Sequence, residues 1–171
     1  MKENIQLVRV DNRLVHGQVA VTWSATLSIS MIVVVDDEVA HDILAQKLMQ
    51  TIARTINLKM KFFSVQDFIQ FWQEESNNKK MFVVVKTIQM AKALVEGGVY
   101  CPKINIGNIH YEKGRIPLNN KMYLTKQDVE DIHYLCSNGC EVFYQDVPGT
   151  KIEKLDTLIY EDLVRRKRHD S

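Results

Sequence analysis

The run Met31-Ile32-Val33-Val34-Val35 is apolar at every position. It is too short for a stand-alone helix and too uniform for a strand with one wet face, so it reads as a strand covered on both sides. Such strands belong to parallel sheets sandwiched between helices. The rest of the chain has the same rhythm. Ile5–Val10 reads as a strand, Gly17–Leu27 as a helix, and residues 38–56 as a long helix with Asp36 or Asp37 as its N-cap. A strand at 58–63 follows, then a helix at 65–75 capped by Ser64, with Asn77-Asn78 as a turn before strand Met81–Val85. Helix Ile88–Glu96 stops at Gly97-Gly98, and Lys103–Ile106 is a short strand. Residues 115–118 and 121–124 fit two further short strands. Thr125 and Asp128 form a capping box that opens a helix at 127–137. Glu141–Tyr144 is a last strand, and a C-terminal helix spans 153–164. Strands alternating with helices of this length predict an α/β fold: an open, mostly parallel twisted sheet with helices on both faces, in a single domain. The domain is expected over residues 1–164, with 165–171 as a basic C-terminal tail that serves as a solvated helix end.

Composition narrows the function. A chain of 171 residues with 46% hydrophobic and 25% charged residues builds one ordinary globular core. The 22 basic residues nearly balance the 21 acidic ones, for a net charge of +1, which disfavours a nucleic-acid partner. No apolar run is long enough to cross a bilayer, and residues 1–5 lack signal-peptide character, so a cytosolic protein is expected. Three cysteines, Cys101, Cys136 and Cys140, make a poor disulfide framework, and no histidine stands at zinc-finger spacing. They read as small buried residues, with no metal or cofactor expected.

In an open α/β sheet, ligands gather at the carboxyl ends of the strands. The loop after the first strand runs from Asp11 to His16 and leads directly into a helix, whose start offers unpaired N–H groups and a positive dipole end to an anion. Gly17 permits close backbone approach, and Arg13 brings a planar fork matched to phosphate oxygens. Neutral imidazole is a nucleophile that can carry a transferred group through a covalent intermediate. His16 is therefore the candidate phosphoryl acceptor, with Arg13 and backbone N–H groups stabilising the transferring oxygens. Asp11 is placed either to orient the imidazole or to pair with Arg13.

The stretch Arg9-Val10-Asp11-Asn12-Arg13-Leu14-Val15-His16-Gly17-Gln18-Val19 closely resembles the active-site segment of IIB subunits in the mannose family of the bacterial sugar phosphotransferase system, R-[IV]-D-x-R-L-[IV]-H-G-Q-V. Residues 32–40, 94–99, 104–108 and Val147-Pro148 also match that family in order, so the similarity runs from about residue 5 to 160. The resemblance implies a cytosolic protein-N(pi)-phosphohistidine–sugar phosphotransferase, peripherally associated with a membrane transporter. It would take a phosphoryl group from a histidine of a IIA partner and pass it to a sugar held by membrane IIC and IID partners. The phosphorylated histidine maps onto His16, and the phosphate-contacting arginine and its neighbouring aspartate map onto Arg13 and Asp11. No IIA-like segment accompanies these motifs, so a separate donor polypeptide is expected. Segments 108–111 and 85–87 resemble N-acetylgalactosamine-type members, which leans the sugar that way and leaves mannose, fructose, sorbose and glucose as alternatives.

Other residues fit blander roles. His110 is expected on the same sheet edge but reads as a surface histidine. His41 and His133 fall within helices, and His169 in the tail. Lys86 reads as a solvated loop residue. Asp36-Asp37 lacks the aspartate after the third strand that a response-regulator receiver needs, since Ser64 stands there. A histidine phosphatase or mutase would have Arg-His-Gly where Val15 intervenes here, and needs a second catalytic histidine late in the chain. A noncatalytic regulator that binds a phosphorylated partner is the remaining alternative, against which both Arg13 and His16 argue.

Overall fold

Alternating side chains of β2 (Met31–Val35) enter two different cores, which is why all five are apolar. Met31, Val33 and Val35 point into one, Ile32 and Val34 into the other. A computed structural model describes residues 4–74 and 79–170, and in it the strands form a seven-stranded sheet of order β3-β2-β4-β1-β5-β8-β9. Here β1 is Ile5–Val10, β3 Lys59–Phe63, β4 Met81–Val85, β5 Lys103–Ile106, β8 Glu141–Tyr144 and β9 Glu153–Lys154. All pairings are parallel except that of β9 with β8.

Helices α1 (Gly17–Leu27) and α2 (Ile43–Thr55) cover one face. Helices α3 (Val65–Glu74), α4 (Ile88–Glu96), α5 (Lys126–Ser137) and α6 (Leu155–His169) cover the other. Two short strands, β6 (Ile116–Asn119) and β7 (Met122–Leu124), form a separate antiparallel hairpin between β5 and α5. Cys101 and Cys140 are buried free thiols and Cys136 is half-buried.

The structure departs from the sequence reading in four places. The segment expected as one helix over 38–56 is broken: Val39–His41 is a 3-10 turn, and α2 begins after Asp42, whose carboxylate accepts from the Ala45 amide at 3.0 Å. Asp36 instead accepts from Val39 N at 3.0 Å, capping the short turn, and Asp37 accepts from Val65 N at 2.9 Å, so it serves α3 together with Ser64. At the C-terminal end, residues 153–154 pair with Tyr144 and Phe143 as an antiparallel edge strand before the helix starts. The helix then runs on through His169, past the expected boundary at 164, and Arg165–Arg168 belong to its solvated end. Lysine and arginine are good helix formers, and no glycine or proline intervenes to end the helix at 164. The expected turn at Asn77-Asn78 lies outside the described residues. The Thr125–Asp128 capping box forms with both reciprocal bonds.

β1 sits at the centre, between β4 and β5. The chain builds leftward through β2 and β3, returns at β4, and then crosses to β5 on the other side of β1. Loops on either side of β1 therefore diverge at its carboxyl end, opening a crevice where a ligand can meet several of them.

Candidate functional site

Arg9 in β1 and Asp11, the first residue beyond it, are two residues apart, so the strand's alternation puts both side chains on the face covered by α1. Arg9 is 1% exposed, a buried cation in a strand whose other residues, Gln6 aside, are apolar. Its Nε and Nη2 donate to Asp11 Oδ2 at 3.3 and 3.2 Å. Its Nη1 donates to Asn105 Oδ1 on β5 and to the backbone carbonyls of Gln145 and Asp146. Trp23 of α1 lies under the guanidinium, 5.9 Å from ring centroid to Cζ. A Cβ added at Gly107 would stand 2.4 Å from Arg9 Nη2, so glycine at that position makes room for the fork. Burial draws the Arg9 guanidinium below its usual range, with the Asp11 charge opposing it.

Asp11 is fully buried and heavily bonded. Oδ1 accepts from the Arg13 amide at 2.9 Å, and Oδ2 accepts from Asn108 Nδ2 at 3.1 Å in addition to Arg9. Burial alone would push this carboxyl up. The Arg13 amide, His16, Arg9 and Asn108 outweigh it and hold Asp11 below the usual carboxylate range.

The same Oδ2 lies 3.1 Å from His16 Nε2. An ionised carboxylate is an acceptor only, so Nε2 is assigned the hydrogen and Nδ1 keeps the lone pair. His16 is the N-cap of α1 in extended backbone (φ −149°, ψ 150°), and its side chain makes no capping bond. The first N–H groups of α1 thus keep their capacity for an anion. The ring is held without being sealed, since the side chain retains 14% exposure.

The loop itself is tightly shaped. Leu14 N donates to Asp11 O at 2.9 Å, and Leu14 is buried with φ +55°, a left-handed conformation that costs energy for a non-glycine residue. Gly17 has φ +46°, which a side chain would strain, yet a Cβ there would meet nothing within 4 Å. Its contribution within the protein is conformational, and the space beside it is open. Asn12 ties three loops together: Nδ2 donates to Lys86 O, and Oδ1 accepts from His110 N, both at 2.8 Å.

Asp11, His16 and Arg13 therefore converge on one loop, but the pairing of Asp11 differs from one of the two expected alternatives. Its arginine partner is Arg9, and only the backbone of Arg13 reaches it, leaving that side chain exposed. His110 is brought to the loop by its backbone amide while its side chain is exposed. His133 is exposed on α5 and His169 ends α6, so neither joins His16 as the second histidine of a phosphatase would. Sequence reasoning assigned no role to Arg9, Asn12, Asn105 or Asn108. The legible signal was polarity inside apolar strands, Arg9 within Ile5–Val10 and Asn105 within Lys103–Ile106.

The family model for the PTS system sorbose subfamily IIB component matches residues 5–170. The chain is 41% identical over 152 residues to the N-acetylgalactosamine-specific phosphotransferase enzyme IIB component 1 of Escherichia coli (strain K12), covering 89% of this chain and 96% of that protein. The crystal structure of an Escherichia coli N-acetylgalactosamine-specific IIB component 1 superposes with a TM-score of 0.86, covering 89% of this chain and 99% of that one. An N-acetylgalactosamine IIB component from Streptococcus pyogenes, 33% identical, superposes at 0.84 over 94% of this chain and 99% of its own. The chain belongs to the sorbose-subfamily IIB components of the sugar phosphotransferase system, the phosphoryl carriers of that machinery.

Proposed function

We propose that this IIB component accepts a phosphoryl group on Nδ1 of His16 from a phosphohistidine of a separate IIA protein. It then hands the group to N-acetylgalactosamine held by membrane IIC and IID partners, working at the cytoplasmic face of the transporter. The observation that carries this reading is the 3.1 Å contact between Asp11 Oδ2 and His16 Nε2. By occupying one ring nitrogen as a donor, Asp11 leaves the other as the nucleophile. It also stabilises the positive charge that the ring acquires when Nδ1 bonds to phosphorus.

In the transfer step Nδ1 attacks phosphorus while the donor's imidazole nitrogen leaves with its bonding pair, and the reverse geometry delivers the group to a sugar hydroxyl, which loses its proton. The transferring oxygens carry the charge that needs stabilising. The first amides of α1 and the exposed guanidinium of Arg13 are the groups suited to meet them. The sugar assignment is supported by the names of the N-acetylgalactosamine relatives, and the partner set by the system to which the family belongs.

Incubation with phosphoenolpyruvate, the general phosphotransferase components and a cognate IIA should add one phosphoryl mass, acid-labile and alkali-stable. Heteronuclear NMR of the adduct should show phosphorus coupled to Nδ1 of His16. A stable adduct on another residue, or on Nε2, would overturn the assignment. In the same assay Arg13→Ala should slow the transfer by roughly tenfold to a hundredfold, less than the loss of a buried oxyanion donor because the guanidinium is solvated. Its thermal unfolding should be unchanged, since the side chain fills no core, and an unaltered transfer rate would remove Arg13 from the mechanism.

A further inference from the structure

The end of α6 gathers four consecutive cations, Arg165, Arg166, Lys167 and Arg168, all exposed. Complementing the helix dipole needs one or two such charges, not four. At 100° per residue, four in a row cover most of the helix circumference, so part of the charge faces away from the protein wherever the helix packs. Arg166 lies on the packed side, bonded through Nε to Asp162 Oδ2 at 2.7 Å. The outward side carries Lys167 and Arg168, one turn beyond Val164 and two beyond Tyr160. Tyr160 is 68% exposed and Leu163, on the flank, 52% exposed, large values for apolar side chains on a packed helix. Charge is also segregated along α6: Asp156, Glu161 and Asp162 fall in its earlier turns, and the cations at its end.

Where that end lies follows from the packing. Helix α5 starts beside the β6–β7 hairpin at the carboxyl edge of the sheet and descends toward the start of β8. Asp156, near the start of α6, sits by Cys136 at the lower end of α5. Leu163 and Arg166, near its end, line one apolar recess with Val129, Ile116 and Leu118. The two helices are therefore antiparallel, and α6 climbs back to the edge that carries His16.

We propose that the last two turns of α6 are a docking surface for an anionic lipid membrane. Headgroup phosphates would meet Arg165, Lys167 and Arg168, and Tyr160 and Leu163 would settle at the interface. This rests on the carrier reading above for its purpose, since it turns the edge bearing His16 toward a sugar held in the membrane. Clustered lysines and arginines on a helix with apolar neighbours are attracted to anionic leaflets, each adding about fivefold to partition (~1 kcal/mol per cation).

The test is co-sedimentation of the full chain with vesicles of phosphatidylcholine alone or with about one-third phosphatidylglycerol. At low salt the protein should partition at least about tenfold more strongly to the anionic vesicles, and added salt should weaken that binding. The triple variant Arg165→Gln, Lys167→Gln, Arg168→Gln should lose about a hundredfold of it while still taking a phosphoryl group from soluble donor. Equal binding to neutral and anionic vesicles, no binding to either, or a triple variant that binds like the parent would each overturn the proposal. His16→Ala should bind vesicles normally; in the parent chain, a failed phosphoryl adduct with intact vesicle binding sinks the carrier reading alone. The converse result sinks the membrane surface alone.

Discussion

With His16 replaced by alanine the phosphoryl adduct should vanish, and with Asp11 replaced by asparagine it should form about 10²–10⁴-fold more slowly. The two effects have different origins. Alanine removes the nucleophile. Asparagine keeps nearly the same shape but is neutral, and its amide can donate where the carboxylate could only accept. The imidazole then loses the partner that fixes its hydrogen on Nε2 and balances its developing charge. Nitrogen chemical shifts of His16 in Asp11→Asn should report a redistribution between ring tautomers, which a purely structural lesion would not produce. Because Asp11 also faces buried Arg9, the rates should be read at a temperature where circular dichroism shows the variant folded. A transfer rate within threefold of the parent (a margin of about 0.6 kcal/mol by transition-state arithmetic) would remove Asp11 from the mechanism.

Arg9→Met should destabilise the fold by about 3–5 kcal/mol, the cost expected when one member of a buried ion pair is removed and the other is left unpaired. Three features of Arg9 depend on its fork: the contacts to Asp11 Oδ2, to Asn105 Oδ1 and to the carbonyls at 145 and 146. Arg9→Lys should recover only part of the loss, since an ammonium brings the charge without the fork. Urea unfolding followed by circular dichroism would measure both, and a loss under about 1 kcal/mol for Arg9→Met would refute the account. The gap should also depend on pH. Asp11 is held below its usual range in the parent, so its ionisation adds stability that is complete above the unfolded value, near pH 4, and fades as pH falls through the folded one. Protonating Asp11 leaves Arg9 unpaired in the parent and relieves the bare carboxylate in Arg9→Met, so acidification below about pH 4 should narrow the difference.

The elements legible in the sequence were those whose signal is local and repeated. The uniformly apolar runs Met31–Val35 and Met81–Val85 and the glycine stop after Ile88–Glu96 correspond to observed strands and a helix. The start of α2 was not legible, because three aspartates stand within seven residues and cap preference cannot rank them. The structure uses all three, Asp36 for the 3-10 turn, Asp42 for α2, and Asp37 for a helix that begins 28 residues later. Nor does a two-residue strand such as β9 carry any periodicity to read. In the site, the closeness of Asp11 to His16 was one of two local options, and strand alternation could have named Arg9 over Arg13 as the partner. Asn108 was out of reach, since its contact with Asp11 spans 97 positions and exists only because β5 lies beside β1.

The three-way stitch made by Asn12 has a consequence for how such a carrier works. With the loops after β1, β4 and β5 bolted to one another through a single amide, the landing pad for phosphate is cast before either partner arrives. Visitors of different shape then meet the same anvil, already set when each one comes.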